Sequence, residues 1–348
     1  MTFANALYDG LFADEEMAAL WDADAQTAHM IAFEAAFSRA MGQAGRFDAA
    51  LAARAADHVA GFAPDRADLS AGSARDGLPV PALIRQLKAG AGDAGQAIHT
   101  GATSQDVLDT ALALTLRGTS DLIDARLGAL VQALADLSDR FGAAPLMGRT
   151  RMQAALPVTV ADRIRIWRAP LVDHRARLTL ARAQTERLSL AGPTGTTDFR
   201  DVAGPMATAL GLTAAQGPWH TDRSGVVDYA NLLALITGSL GKMGQDVALM
   251  AQQGIAEISL SGGGGSSAMA HKQNPILAEL LVTLARFNAG QAGVMQQAMV
   301  HEQERSGAAW ALEWMVLPLM AQATGRALVA AAALLAAVTA IGASHKSV

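Results

Sequence analysis

Residues 104–141, SQDVLDTALALTLRGTSDLIDARLGALVQALADLSDRF, run without a proline and decide the fold class. At 1.5 Å of rise per residue the segment makes a rod of about 57 Å, longer than a small globular domain holds. Further long helical segments follow at 158–190, 225–256, 275–299 and from Glu304 onward, where Pro318 should bend the last rod. Ahead of them a first helix is expected over Glu15 to Met41, with Leu20, Met30, Ile31, Phe33 and Phe37 on one stripe. Residues 61–81 hold Pro64, Pro79 and Pro81 among Gly, Ser and Asp, and read as loop and turns leading into a brief helix from Pro81 to Lys88. Alternating strand patterns are nearly absent. The expectation is an all-α protein whose long helices form an extended bundle.

Composition narrows the function. With 348 residues, 51% of them hydrophobic, the chain can bury a sizeable core, so disorder is excluded. A net charge of -5, with lysines and arginines scattered, offers no electrostatic footprint for nucleic acid, and the expected partner is a small molecule. The absence of cysteine excludes disulfides and thiolate metal sites. No basic-then-apolar leader opens the chain, so the cytoplasm is the expected location. The uncharged tract 327–343 is alanine-rich and short of the roughly 20 strongly apolar residues of a membrane span, which points to a packed helix and no membrane. Helices rich in alanine and poor in aromatics pack closely, including across subunits.

The polar segments sit at the ends of the rods. Ser261–Pro275, SGGGGSSAMAHKQNP, joins a glycine run to hydroxyls, Lys272, Asn274 and a helix start. A flexible linker would need only the glycines. The fixed order that follows reads as a catalytic lid, with Asn274 as N-cap and Pro275 at the first helical position, where free N–H groups beside Lys272 favour an anion. In His99–Asp106, HTGATSQD, Thr103 and Asp106 have the spacing of a capping box. Capping explains those two and leaves Ser104 and Gln105 as added donors for a carboxylate; on the motif alone both readings stand. Gly148–Gln153 carries Arg149 and Arg151, whose forks suit bidentate carboxylate recognition as well as solvation. In His301–Arg305, HEQER, Glu302 and Arg305 are spaced to pair at i, i+3 on a helix. No His-Glu-x-x-His or calcium-loop pattern is present, and neither a metal nor a cofactor is expected.

Taken together, Thr103–Asp106, Gly148–Thr150 with Gln153 and Pro157, and Gly265–Pro275 resemble the fumarase/aspartase superfamily over residues 10–320. The resemblance implies a fumarase/aspartase-like long helical bundle with a small helical N-terminal domain (1–95), a central bundle (96–325) and a truncated C-terminal domain (326–348). It also implies a homotetramer whose sites are built from neighbouring subunits. Within the superfamily, Gly77–Pro81, His99–Thr110 and His301–Trp310 with Glu313 and Trp314 are most similar to the bacterial 3-carboxy-cis,cis-muconate cycloisomerase family, which lactonises its substrate in protocatechuate breakdown. Arg151 stands where many of the lyases have histidine, and Ala270 where the signature has proline.

By position, the resemblance makes Ser266 the proton donor to the alpha carbon. Lys272 and Asn274 become supports for the extra charge of the aci-carboxylate. Thr103, Ser104 and Gln105 would bind one carboxylate of a polycarboxylate substrate, and Arg149, Arg151 and Arg305 the others. Two alternatives remain at this point, a fumarate-releasing lyase of the adenylosuccinate type and a non-catalytic helical scaffold.

Overall fold

The computed structural model describes residues 6–265 and 273–342. Short helices α1 (Asp9–Phe12) and α2 (Glu15–Leu20) lead into α3 (Ala23–Gln43), α4 (Ala49–Ala60), α5 (Arg66–Asp76) and α6 (Val80–Ala89). The rods are α7 (Ser104–Phe141), α8 (Val160–Thr185), α10 (Ser224–Met250), α11 (Ile276–Gln297) and α12 (Ala308–Ala336), with α9 (Arg200–Leu210) between α8 and α10. The first expected helix is broken in two, because Asp22 accepts the Ala25 N–H at 2.8 Å and caps a new start. Residues 61–81 are largely helical instead of loop. Asp65 caps α5 by accepting from Ala67 at 2.9 Å, and Gly77 ends it at φ 80, so these turn-forming residues punctuate a helix.

The strand content is minor: β1 (Pro145–Thr150) pairs antiparallel with β2 (Gln153–Thr159), β3 (Arg187–Leu188) pairs parallel with β4 (Thr213–Ala214), and β5 (Ile258–Leu260) is antiparallel to β8 (Val338–Ile341). In the smallest ladder β6 (Gly264–Gly265) pairs with β7 (Gln273–Asn274). Asn274 therefore lies in a strand, and α11 starts after Pro275 with no side-chain cap, which corrects the expected N-cap.

Among the described residues two large apolar cores hold the molecule, beside a small cluster of Ala113, Leu114 and Leu212. One fills the bundle, where Ile123, Leu127, Leu130, Leu134 and Leu137 of α7 recur at helical spacing and face Trp167, Leu233, Leu328 and their neighbours. The other lies under α3 to α6 and includes Phe33, Phe37, Val59, Leu83, Leu87 and Phe199. α10 and α11 approach closely at Gly244, where a Cβ would sit 2.5 Å from the Ala278 carbonyl oxygen. Among the described residues one helix, α12, is long and apolar enough to cross a membrane, and 67% of its most apolar window is buried against the bundle. It runs unbroken through residue 325, the expected edge of the central bundle.

Candidate active site

Rod direction decides which polar segments can meet. Arg175 with Asp124 and Arg182 with Asp121 link α8 antiparallel to α7. The starts of α7, α10 and α12 converge, as Arg223 bonds both Asp109 and Glu313. The end of α7, the end of α10 and the start of α11 lie at the opposite pole, where Arg149 of β1 meets Glu257, the residue before β5.

At the first pole the Thr103–Asp106 turn is built around a buried carboxylate. Asp106, 0% exposed, accepts the N–H groups of Thr103 at 3.0 Å, Ala191 at 2.9 Å and Gly192 at 3.0 Å, and Nε2 of His220 donates to it at 2.8 Å. That carboxylate ties three distant segments into one floor. Gly192, at φ 74, has no room for a side chain, since a Cβ would fall 2.1 Å from Thr197 Oγ1.

Arg305 lies on this floor. It donates from Nη2 to Thr103 Oγ1 at 2.9 Å and to the Pro193 carbonyl at 3.1 Å, and from Nε to Gln105 Oε1 at 3.0 Å. Among the described residues no carboxylate pairs with it, so a guanidinium held by neutral acceptors keeps its charge for an anion. The expected Glu302–Arg305 pair is not formed, because residues 298–307 leave the helix and turn Arg305 toward α7. Gln105 is 0% exposed and donates from Nε2 to the His220 carbonyl at 2.7 Å. Both ends of its amide are spent inside the chain, so it orients Arg305 instead of offering a free donor. Ser104, half-buried, opens α7 beside it.

The second pole holds the other expected groups. Nη1 of Arg149 donates to both oxygens of Glu257, at 2.7 and 2.8 Å. Arg151 and Met152 form the tip of the β1–β2 hairpin, exposed and both left-handed at φ 50 and 68. Asn274 pairs with Gly264, and both line a cleft of about 340 Å³ with Leu260 to Gly263, Pro275 to Leu277, Leu334 and Ala337. Ser266 and Lys272 lie outside the described residues. The single chain thus gathers Thr103, Gln105 and Arg305, with Ser104 adjoining, and carries Arg149, Arg151 and Asn274 at the far end of rods about 30 to 57 Å long.

His99 was quoted for its motif and given no role, yet its surroundings are those of an oriented imidazole. It sits at φ 59, and its Nδ1 lies 2.6 Å from Oε1 of Glu34, a carboxylate with 0% exposure. A carboxylate on one ring nitrogen fixes the tautomer and the orientation of the ring. Glu34 lies 65 residues earlier on the buried side of α3, and only its position on an apolar stripe signals it.

A family model described as lyase matches residues 13–289. A 3-carboxy-cis,cis-muconate cycloisomerase of Pseudomonas aeruginosa is 37% identical over 90% of this chain and 71% of its own length. The crystal structure of the 3-carboxy-cis,cis-muconate lactonizing enzyme from Pseudomonas putida, 33% identical, superposes with a TM-score of 0.91 over 97% of this chain and 78% of that one. A fumarate lyase from Mesorhizobium sp., 30% identical, gives 0.89 over 98% and 78%. With the helical bundle, the Thr103–Asp106 floor and these likenesses together, the chain belongs to the lyase family of the fumarase/aspartase superfamily.

Proposed function

We propose that the chain is a 3-carboxy-cis,cis-muconate cycloisomerase. The observation that carries the anionic half of this reading is Arg305, charged, exposed and aimed from neutral supports. The choice of substrate is supported by 37% identity with a cycloisomerase across most of both chains. In the reaction one substrate carboxylate oxygen adds to the conjugated diene and the alpha carbon takes up a proton, so a ring closes and no group leaves. Charge builds on the carboxylate beside the alpha carbon and must be held until the proton arrives. Arg305, with Thr103, Ser104 and Gln105 around it, takes one carboxylate; Arg149 and Arg151 are the cations for the others. Ser266 delivers the proton, and Lys272 with Asn274 supports the transient charge.

We further propose a cytoplasmic homotetramer. Arg305 and Asn274 are separated by the length of α11, about 33 Å, which no side chain spans. Neighbours in antiparallel contact would bring the first pole of one subunit to the second pole of another. Ile166, Val172 and Leu180 of α8 and Leu235 of α10 are 44–70% exposed and offer an apolar face for that contact.

The deciding experiment mixes the protein with 3-carboxy-cis,cis-muconate and follows loss of the diene absorbance. Rapid loss giving the lactone, abolished by Ser266→Ala, is the expected result; a stable diene overturns the assignment. Mixing inactive Ser266→Ala subunits with Arg305→Met subunits, assayed at a substrate concentration far below the raised KM of the latter, should restore part of the activity if sites are shared between chains, and no recovery counts against the composite site.

A further inference from the structure

Beneath the Arg305 turn lies a sealed group of ionisable side chains. The Arg223 guanidinium, 0% exposed, donates to both oxygens of Glu313 at 2.7 and 2.6 Å and to both oxygens of Asp109 at 3.0 and 3.1 Å. His301 completes the group. Its side chain is also 0% exposed, its Nε2 lies 3.9 Å from Glu313 Oε1, and neither ring nitrogen has a hydrogen-bond partner of good geometry, the Ala298 carbonyl being the backbone acceptor beside the ring.

One guanidinium between two carboxylates leaves a negative charge in excess while both are ionised and the imidazole is neutral. Burying an imidazole without well-placed partners is costly; with its one N–H on Nδ1, toward the Ala298 carbonyl, the neutral ring turns a lone pair to Glu313, and a second proton on Nε2 would supply the missing donor. The same proton would place a second cation next to Arg223. The cluster therefore has two states, which differ by one proton and by a short movement of the ring.

The ring is coupled to the site through the chain. His301 lies on the connector from α11 to α12, residues 298–307, and Arg305 follows four residues later. The backbone between them is tied by His301 N–H to the Met299 carbonyl at 3.2 Å and by Arg305 N–H to the Glu302 carbonyl at 3.1 Å. Among the described residues the charged groups facing the ring all belong to this arrangement: Glu313 from α12, Arg223 from the start of α10 with Asp109 of α7 behind it, and Glu302 on the connector itself.

We propose that His301 is a positioning residue for Arg305: neutral, it holds the connector so that the guanidinium meets a substrate carboxylate, and protonated, it closes on Glu313 and draws Arg305 away. Burial, and then the charge of Arg223, hold the imidazole below its ordinary pKa against the pull of Glu313, Glu302 and the Ala298 carbonyl. The neutral form thus prevails at neutral pH, and the change falls on the acid side. The nature of the ligand rests on the proposed function; the switch itself does not require turnover.

The test compares wild type with His301→Gln and His301→Phe between pH 5 and 8. In wild type KM should rise as pH falls below the pKa of His301, approaching about tenfold per pH unit if only the neutral form binds, while kcat does not follow that curve. Neither replacement titrates, so the ratio of variant to wild-type KM should fall steadily toward low pH. Fixed ratios across the range overturn the proposal. The dissociation constant of benzene-1,2,4-tricarboxylate, an unreactive planar tricarboxylate, measured by calorimetry gives the same comparison without chemistry. If the muconate is not turned over, the proposed function fails, and the tricarboxylate curves still decide His301. A pH dependence lost in both variants supports the switch; identical curves, or no binding at any pH, overturn it.

Discussion

Replacing Arg223 with methionine isolates what the buried ion cluster contributes to the fold. The guanidinium is enclosed, and its bonds of 2.6 to 3.1 Å satisfy both Asp109 and Glu313. Methionine fills most of the volume and leaves two carboxylates in an apolar interior. Removing one member of a buried charge cluster costs about 3–5 kcal/mol because the remaining charge is uncompensated. The cost must depend on pH, since a carboxyl group can escape by taking a proton. Burial already pushes the Asp109 carboxyl up to about 6, against the pull of Arg223 and with Glu313 adding to the rise. A folded pKa above the unfolded 3.8 means that this group's contribution is fully present below pH 4 and is lost as pH rises through 6. For wild type that loss is on the order of 3 kcal/mol. In Arg223→Met the Asp109 carboxyl, without its cation, holds its proton to still higher pH, so the penalty should be about 3–5 kcal/mol at pH 8 and about 1–3 kcal/mol at pH 5. Urea unfolding followed by far-ultraviolet circular dichroism, at one protein concentration and both pH values, measures the difference. A penalty under about 1 kcal/mol at pH 8, or one equal at the two pH values, would refute the reasoning.

Other perturbations have definite expected outcomes. Arg305→Met should raise KM about 10- to 100-fold through loss of a charge-assisted carboxylate contact, with a smaller change in kcat; steady-state kinetics that leave KM within twofold would remove Arg305 from the site. Gly244→Ala places a Cβ 2.5 Å from the Ala278 carbonyl oxygen, and should lower stability by about 1–3 kcal/mol as α10 and α11 are pushed apart, read as a drop in the urea midpoint. Glu257→Gln weakens the hold on Arg149, and should lower activity without unfolding the bundle, since the pair lies at the partly exposed second pole; an unchanged kcat/KM would count against a binding role for Arg149.

The rods were legible because long proline-free stretches with helical spacing admit no other structure, and α7 spans the expected Ser104 to Phe141. What escaped were contacts set by tertiary packing. No local rule places Arg305 on Thr103 across 202 residues, or predicts that the Gln105 amide is consumed by holding it. The ion cluster was invisible for the same reason: Asp109, Arg223 and Glu313 look like ordinary helix residues until three rods bring their starts together. Asn274 followed by Pro275 is a common helix opening, yet pairing with Gly264 drew the asparagine into a strand. Asp65 and Gly77 carried the right local signal and were read as loop because the prolines nearby outweighed them.

The tip of the β1–β2 hairpin has a consequence for anyone seeking a hardier protein. Thr150 pairs with Gln153, leaving Arg151 and Met152 as a two-residue loop, both left-handed, where asparagine and glycine would sit without strain. Each side chain there costs on the order of 1 kcal/mol. Arg151→Asn with Met152→Gly is accordingly the simplest stabilising exchange the backbone offers, and on the proposed reading it would also remove a substrate cation. Thermal tolerance and turnover should move in opposite directions at this turn, which makes it a poor place to begin consensus or loop-grafting engineering and a good place to detect what selection has favoured.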